Sequence, residues 1–202
     1  ELSQIRITGL GRVSAWMYFS PYDVSNWHCN FKRILNNLDD DLSIAWALAT
    51  IPSNNPGYMT KEVNGDESDW IWKLQNRGLN AGNCLPFVIA TYNAISGEES
   101  KNPFLKALQR GISWDAERVI QALALIDSKY AKWEKEDLWG ILGMRIKYGV
   151  PASMIDLVKI PGIGGKRAKK LYDRGIKSIA DVAMADKKVL GQIFTVQTAL
   201  KL

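Results

Sequence analysis

The sequence predicts an all-α fold in two parts, a larger helical bundle followed by a small helical domain. Three observations carry that expectation. Apolar residues recur at three- and four-residue spacing along most of the chain, the period of helices with one buried face. Tyr148-Gly-Val-Pro151 interrupts that pattern cleanly, because glycine and proline both end helices. Charge changes across the same break: residues 145–202 carry 12 Lys+Arg against 4 Asp+Glu, net +8, whereas residues 1–144 are at −3. A basic excess concentrated in the last quarter is an electrostatic footprint for a polyanion.

The elements follow in order. Ile5 and Ile7 alternate with Gln4 and Arg6, the two-residue period of a short strand. Thr8-Gly-Leu-Gly11 breaks it, and Leu10, Val13 and Trp16 or Met17 then return at helical spacing. A lone strand cannot stand by itself, so residues 1–20 read as the end of a preceding domain. Ser20-Pro-Tyr-Asp23 is a stop followed by an N-cap, leading into an amphipathic helix from Val24 to Leu38. The aspartates 39–41 read as caps of the next helix, Leu42 to Ala49, because carboxylates favour a helix N-terminus. Residues 52–69 are turn-rich, and a helix from Trp70 ends by Gly78. The stretch from Leu85 to Ile95 is apolar all round, the profile of a buried helix. A short helix over Phe104 to Arg110 closes at Gly111, and Ser113 caps the longest helix. That helix has a seam of Val119, Leu123, Ile126, Tyr130 and Trp133 at 4-3-4-3 spacing. Trp114, Arg118, Gln121, Lys129 and Lys132 fall off the seam, free to face a groove. Leu138 to Ile146 is helical again. Beyond the break, helices capped at Ser178 and Asp186 complete a domain over 149–202, with a truncated last helix at Thr195 to Leu202.

Leu157-Val-Lys-Ile-Pro-Gly-Ile-Gly-Gly-Lys-Arg-Ala-Lys-Lys-Leu171 is the stretch with the most chemistry. Pro161 stops one helix and Ile163 pegs the turn to the protein. Gly162, Gly164 and Gly165 give the backbone positive φ and close approach. The helix that opens at Gly165 exposes unpaired N–H groups and the positive end of its dipole, a ready phosphate site. Lys166, Arg167, Lys169 and Lys170 ring it with charge. This is the pattern of a helix-hairpin-helix, which grips nucleic-acid backbone and reads no bases. Its competitor is a hairpin that merely packs, with its lysines solvated.

Other functions find less support. No Gly-x-x-x-x-Gly-Lys-Ser/Thr loop is present to bind a nucleotide. Cys29 and Cys84 have no partners at metal-ligand spacing, so neither metal nor catalytic residues are expected. They point instead to a reducing intracellular compartment, cytoplasmic in a prokaryote or nuclear in a eukaryote. His28 is the single histidine, expected packed or at the surface. No run approaches the ~20 apolar residues of a membrane span and no signal-peptide pattern opens the chain. Beginning at Glu1, it reads as a piece of a longer protein.

Arg145-Ile-Lys-Tyr-Gly-Val150 followed by Leu157 to Val182 closely resembles the C-terminal end of archaeal Ski-two-like superfamily-2 DNA helicases, which act in repair at stalled forks. Thr8-Gly-Leu-Gly-Arg12 with Ser20-Pro21 resembles the exit from that family's winged helix, and Asp115-Ala-Glu-Arg118 the middle of its ratchet helix. The resemblance implies a winged-helix remnant at 1–20, a helical ratchet domain at 21–148 and a helix-hairpin-helix domain at 149–202. It implies a non-catalytic region of an ATP-dependent 3′-to-5′ helicase that grips single-stranded or forked DNA, without a membrane. The motor domains, in cis and absent here, would bind ATP and Mg2+; this chain would hold no cofactor. The implied contacts are Gly162, Ile163, Gly164, Gly165, Lys166, Arg167, Lys169 and Lys170 of the hairpin, with Arg110, Trp114 and Arg118 on the ratchet helix. Where that family often has tryptophan this chain has Arg118, and where it has an arginine two turns earlier stands Gly111; Trp114 and Arg110 lie close by.

Two further readings remain at this level. A helix-hairpin-helix DNA glycosylase would need an aspartate about twenty residues beyond the hairpin, as Asp181 or Asp186 could supply. In an RNA-helicase scaffold, the aromatic-rich segment 1–144 would bind protein.

Overall fold

In the computed structural model, which describes residues 6–55 and 67–194, the fold is all-α, with no strand among the described residues. Residues 6–8 carry no regular structure, and Ile5 lies outside the described residues. Thr8 accepts the Gly11 amide at 3.1 Å and so caps α1 (Gly9–Met17), a helix that begins where sequence periodicity places a break. Its Val13 is fully buried, and α1 packs on both α2 (Pro21–Arg33) and α6 (Pro103–Ile126).

Helix α2 starts earlier than expected. Ser20 is its cap and Pro21 fills the first turn, where a missing N–H is harmless. Asp23 is therefore not needed as a cap. Its buried carboxylate instead accepts the amide (3.0 Å) and hydroxyl of Ser53, tying α2 to the 3-10 turn Pro52–Asn54. The helix ends at Arg33, and a 3-10 turn, Leu35–Asn37, carries the chain through the rest of the run whose apolar spacing extends to Leu38. Asp40 caps α3 (Asp41–Ala49) by accepting the Ser43 amide at 3.0 Å, as the aspartate cluster suggests. Helices α3 and α5 (Leu85–Ser96) are the most completely buried, and α5 packs against α3, α6 and α7 (Glu136–Tyr148). Helix α4 (Glu67–Gln75) lies against this body through buried Leu74.

Helix α6 departs furthest from the sequence expectation. It runs unbroken from Pro103, capped by Asn102, through Gly111 and Ser113 to Ile126. One interior glycine costs only about 1 kcal/mol, and Leu105, Leu108, Ile112 and Ala116 continue one packed face across it. The far end stops short of the expected seam. At Asp127 a π-turn (Asp127–Ala131) begins, so Tyr130 lies in that turn and Trp133 beyond the helix. The cause is Asp127 itself. Its buried carboxylate accepts the amides of Trp133, Glu134 and Lys135 at 2.7, 3.0 and 2.8 Å, and the Trp139 indole at 2.8 Å. Those bonds reverse the chain into α7. His28 stacks on Trp133 at 5.6 Å.

Gly149 caps α7 in the left-handed conformation. A second apolar cluster then gathers from Val150 to Phe194, separate from the one shared by α1–α7. Its helices are α8 (Ile155–Val158), α9 (Gly165–Tyr172), α10 (Ile179–Met184) and α11 (Lys187–Gly191). The final helix expected over 195–202 lies outside the described residues, as does most of the turn-rich stretch at 52–69.

Burial alone would raise the Asp127 pKa, but the Trp139 indole and the three amides outweigh it and hold the carboxyl below its usual range. A depressed folded-state pKa adds stability that is present above the unfolded pKa and lost as pH falls through the folded one. Asp127→Asn should therefore lower unfolding free energy by about 2–4 kcal/mol at pH 7. The deficit should shrink as urea denaturation is repeated below the usual carboxylate pKa. A deficit that does not change with pH would contradict this role.

Candidate nucleic-acid interface

The hairpin joins α8 to α9. Gly162 takes φ +87°, the left-handed region that reverses the chain after Pro161. Ile163 is buried in the second core and its amide donates to the Ile160 carbonyl at 3.0 Å. Neither its side chain nor its N–H is available to a ligand, so Ile163 holds the turn and touches no strand. Gly164 and Gly165 do not share the positive φ expected of them: Gly164 has φ −90° and Gly165 is helical. They also differ in their surroundings. A Cβ on Gly165 would sit 1.9 Å from the Tyr148 carbonyl oxygen, so the start of α9 lies directly on the end of α7. A Cβ on Gly164 would meet nothing within 4 Å. Packing makes no demand for glycine there.

The decisive geometry is in the amides. Gly164 caps α9 without a side chain, and the first amide bonds of the helix are those of Arg167 and Ala168 to the Gly164 carbonyl, both 3.0 Å. Among the described residues no acceptor takes the N–H groups of Gly164, Gly165 or Lys166. All three residues are at least partly exposed. Three adjacent donors at the positive end of a helix form an anion site.

The surrounding cations divide. Lys166 and Lys170 are exposed, one helical turn apart, with no carboxylate partner among the described residues. Lys169 lines a crevice of about 380 Å³ that also contains Glu98 and Glu99. Arg167 is turned inward. Its Nη1 donates to the Gly162 carbonyl at 2.6 Å and its guanidinium lies 5.6 Å from the Phe194 ring. It braces the turn.

The second turn of this region, before α10, is built the opposite way. The Asp181 carboxylate accepts the amides of Lys177 and Ser178, both at 2.9 Å, while the Ser178 hydroxyl accepts the Asp181 amide at 3.1 Å. That capping box satisfies the N-cap amide, of Ser178, whose counterpart at α9, the Gly164 amide, is bare; the next two amides are without an acceptor among the described residues at both helices. The Lys177 amide, followed by the Ser178 hydrogen bonds, holds the Asp181 carboxyl below its usual range. The geometry thus gives Asp181 a capping role.

On α6, Arg110, Trp114 and Arg118 recur four residues apart on the exposed side. Trp114 is 91% exposed. Arg118 is engaged: its fork meets Asp115 at 2.8 Å twice, Nη1 reaches the Met17 and Tyr18 carbonyls at 3.4 Å, and it lies 4.1 Å from the Phe19 ring. It latches α6 to the corner between α1 and α2. Sequence spacing gives no sign of that latch, whose partners at the corner are about a hundred residues away.

Residues 154–202 match the family model described as a SAM-like helix-hairpin-helix tandem. Similarity to helicases extends further. An ATP-dependent DNA helicase Hel308 of Thermoplasma acidophilum is 42% identical over 73 residues, 36% of this chain and 11% of the relative. Putative helicase 7 of a Sulfolobus islandicus filamentous virus is 28% identical over 191 residues, 92% of this chain and 28% of the relative. The Hel308 of Aeropyrum pernix is 26% identical over 202 residues, 90% and 26% respectively. The C-terminal region thus matches a helix-hairpin-helix tandem and is similar to parts of DNA helicases. The chain spans between about a tenth and just over a quarter of these relatives' length.

The two glycines of the helix-hairpin-helix should separate on substitution. Gly165→Ala forces a Cβ into backbone and should destabilise by about 1–3 kcal/mol. Gly164→Ala, in open space at an ordinary φ, loses only the N-cap preference for glycine over alanine, about 0.5–1 kcal/mol, and should melt above Gly165→Ala. Equal melting of the two variants would contradict the stated geometry.

Proposed function

We propose that this chain is a non-catalytic, DNA-gripping region of an ATP-dependent helicase. The hairpin holds the sugar-phosphate backbone of a single strand, and the exposed side of α6 provides a second contact. The observation that carries this reading is the run of unsatisfied amides at Gly164, Gly165 and Lys166, beside the exposed Lys166 and Lys170. A glycine at 164 has no side chain to shade those donors. The similarity to Hel308-type helicases supplies the context.

The same turn is unsuited to a nucleotide triphosphate. It follows helix α8, not a strand, and lacks both the Ser/Thr and the loop length of a nucleotide-phosphate loop. ATP and Mg2+ therefore belong to motor domains outside this segment, working in cis on single-stranded or forked DNA with 3′-to-5′ polarity. The ratchet division at 21–148 and the hairpin domain at 149–202 fit that arrangement. Trp114 is placed to stack on a base, while Arg118 and Arg167 act through the elements they brace. Repair at stalled forks is the setting this reading implies.

Backbone gripping fixes the salt dependence. If roughly four phosphates are neutralised, log K should fall against log salt with a slope of about −3 for a single strand. The double variant Lys166→Ala/Lys170→Ala should reduce that slope by roughly 1.4, two phosphates' worth. Fluorescence anisotropy of a labelled oligonucleotide between low and moderate salt measures both. A slope unchanged by the double substitution would remove the hairpin from the interface.

A further inference from the structure

Behind the exposed side of α6 lies a cavity of about 500 Å³, within the range of small-molecule pockets, about 300–1,000 Å³. We infer that this cavity receives a single nucleobase turned out of the bound strand. The inference rests on the strand-binding reading above and adds a base pocket to a backbone grip.

The lining specifies the ligand. Phe19, Trp27 and Phe87 contribute rings, and Leu108 and Ile112 aliphatic wall, the surfaces that suit the faces of a planar heterocycle. Thr91 also lines the cavity. It is only 3% exposed, and no described residue bonds its hydroxyl. Its oxygen is not sealed off, so it stays open to whatever fills the cavity, and a base edge provides both donors and acceptors. The two carboxylates in the lining, Asp23 and Asp115, repel phosphate. Both are fixed, Asp23 by Ser53 and Asp115 by Arg118, so neither turns away to admit an anion. A base enters and its phosphates stay outside.

The mouth is built for the neighbouring bases. Tyr18 lines it, 87% exposed and held at φ +54°, a conformation costly for a bulky residue. Arg118, one of the cavity's walls, reaches the Tyr18 carbonyl at 3.4 Å. Trp114 stands one helical turn before Arg118, almost wholly exposed. Tyr18, left in water at the cavity, is a stacking platform for a single strand, and Trp114 is an exposed ring further along α6. Gly111 completes the rim, and a Cβ there would meet nothing within 4 Å. The helix gains nothing from a glycine at that position; an opening beside it does.

Gly111→Leu tests this. It replaces a helix-weakening residue at an open position, so its thermal midpoint should be no lower than the parent's. Two strands of equal length serve as probes, oligo(dT) and a fully abasic oligonucleotide, with methyl NMR signals of Thr91 and Ile112 and amide signals of the hairpin as readouts. With the parent chain, oligo(dT) should shift both sets and the abasic strand only the hairpin amides. Gly111→Leu should abolish the methyl shifts and weaken oligo(dT) at least about fivefold, the low end for loss of one base contact. Its affinity for the abasic strand should be unchanged. Hairpin shifts without Thr91 and Ile112 shifts, or methyl shifts that survive Gly111→Leu, would overturn the pocket and leave the grip standing. If neither strand moves either set, the strand-binding reading fails, and the pocket's occupant with it.

Discussion

A helix must begin somewhere, and the amides of its first turn cannot be satisfied from within. The protein answers that constraint in two ways in consecutive helices. At α10 the Asp181 carboxylate takes the N-cap amide and screens the two amides that follow, and the Ser178 hydroxyl takes the Asp181 amide. At α9 the cap is Gly164, which has no side chain to offer, and three donors are left outward. The rest of the hairpin keeps that arrangement in place. Ile163 anchors the turn in the core, Gly162 supplies the reversed φ, and Arg167 braces the Gly162 carbonyl from behind. Lysines then concentrate positive potential where the donors point.

The hairpin is also fixed against the larger body by close backbone approach. Gly165 rests on the Tyr148 carbonyl, and on the other side of the same connection a Cβ at Gly97 would lie 2.8 Å from Pro151. The connecting segment is thus pinned between two glycines. Arg145 adds a polar tie nearby, donating to Asp41 at 2.6 Å and to the Ile95 carbonyl at 3.1 Å, which joins α7 to α3 and α5. A strand held by the bare amides of α9 would be held in fixed relation to α7 and the helices packed on it.

Much of this is legible in the residue order, and the failures have physical causes. Continuous apolar runs locate α3 and α5, which are buried on nearly all sides, and apolar periodicity locates α7, which buries one face. The glycine turn is legible because its positions carry mechanical requirements, although these are distributed differently from the expectation: positive φ at Gly162, close approach at Gly165, neither at Gly164. The unbroken α6 escapes a local reading because Gly111 looks like a terminator, while the packing that overrides it comes from distant helices. The early end of the same helix escapes for the converse reason, since Asp127 acts through amides six to eight residues on. Arg118 and Arg167 both read as surface cations. Their partners, respectively the α1–α2 corner and the Gly162 carbonyl with Phe194, become apparent only once the chain is folded.

The central claim is that bare main-chain donors, more than side-chain charge alone, make the strand contact. Titrating the isotopically labelled chain with a short single strand and following every backbone amide tests it directly. The Gly164, Gly165 and Lys166 signals should move furthest among the hairpin amides and saturate together, with those of Lys177 and Ser178, already bonded to Asp181, nearly still. Saturable binding with the first three amides unmoved, or with both turns shifting equally, would contradict it.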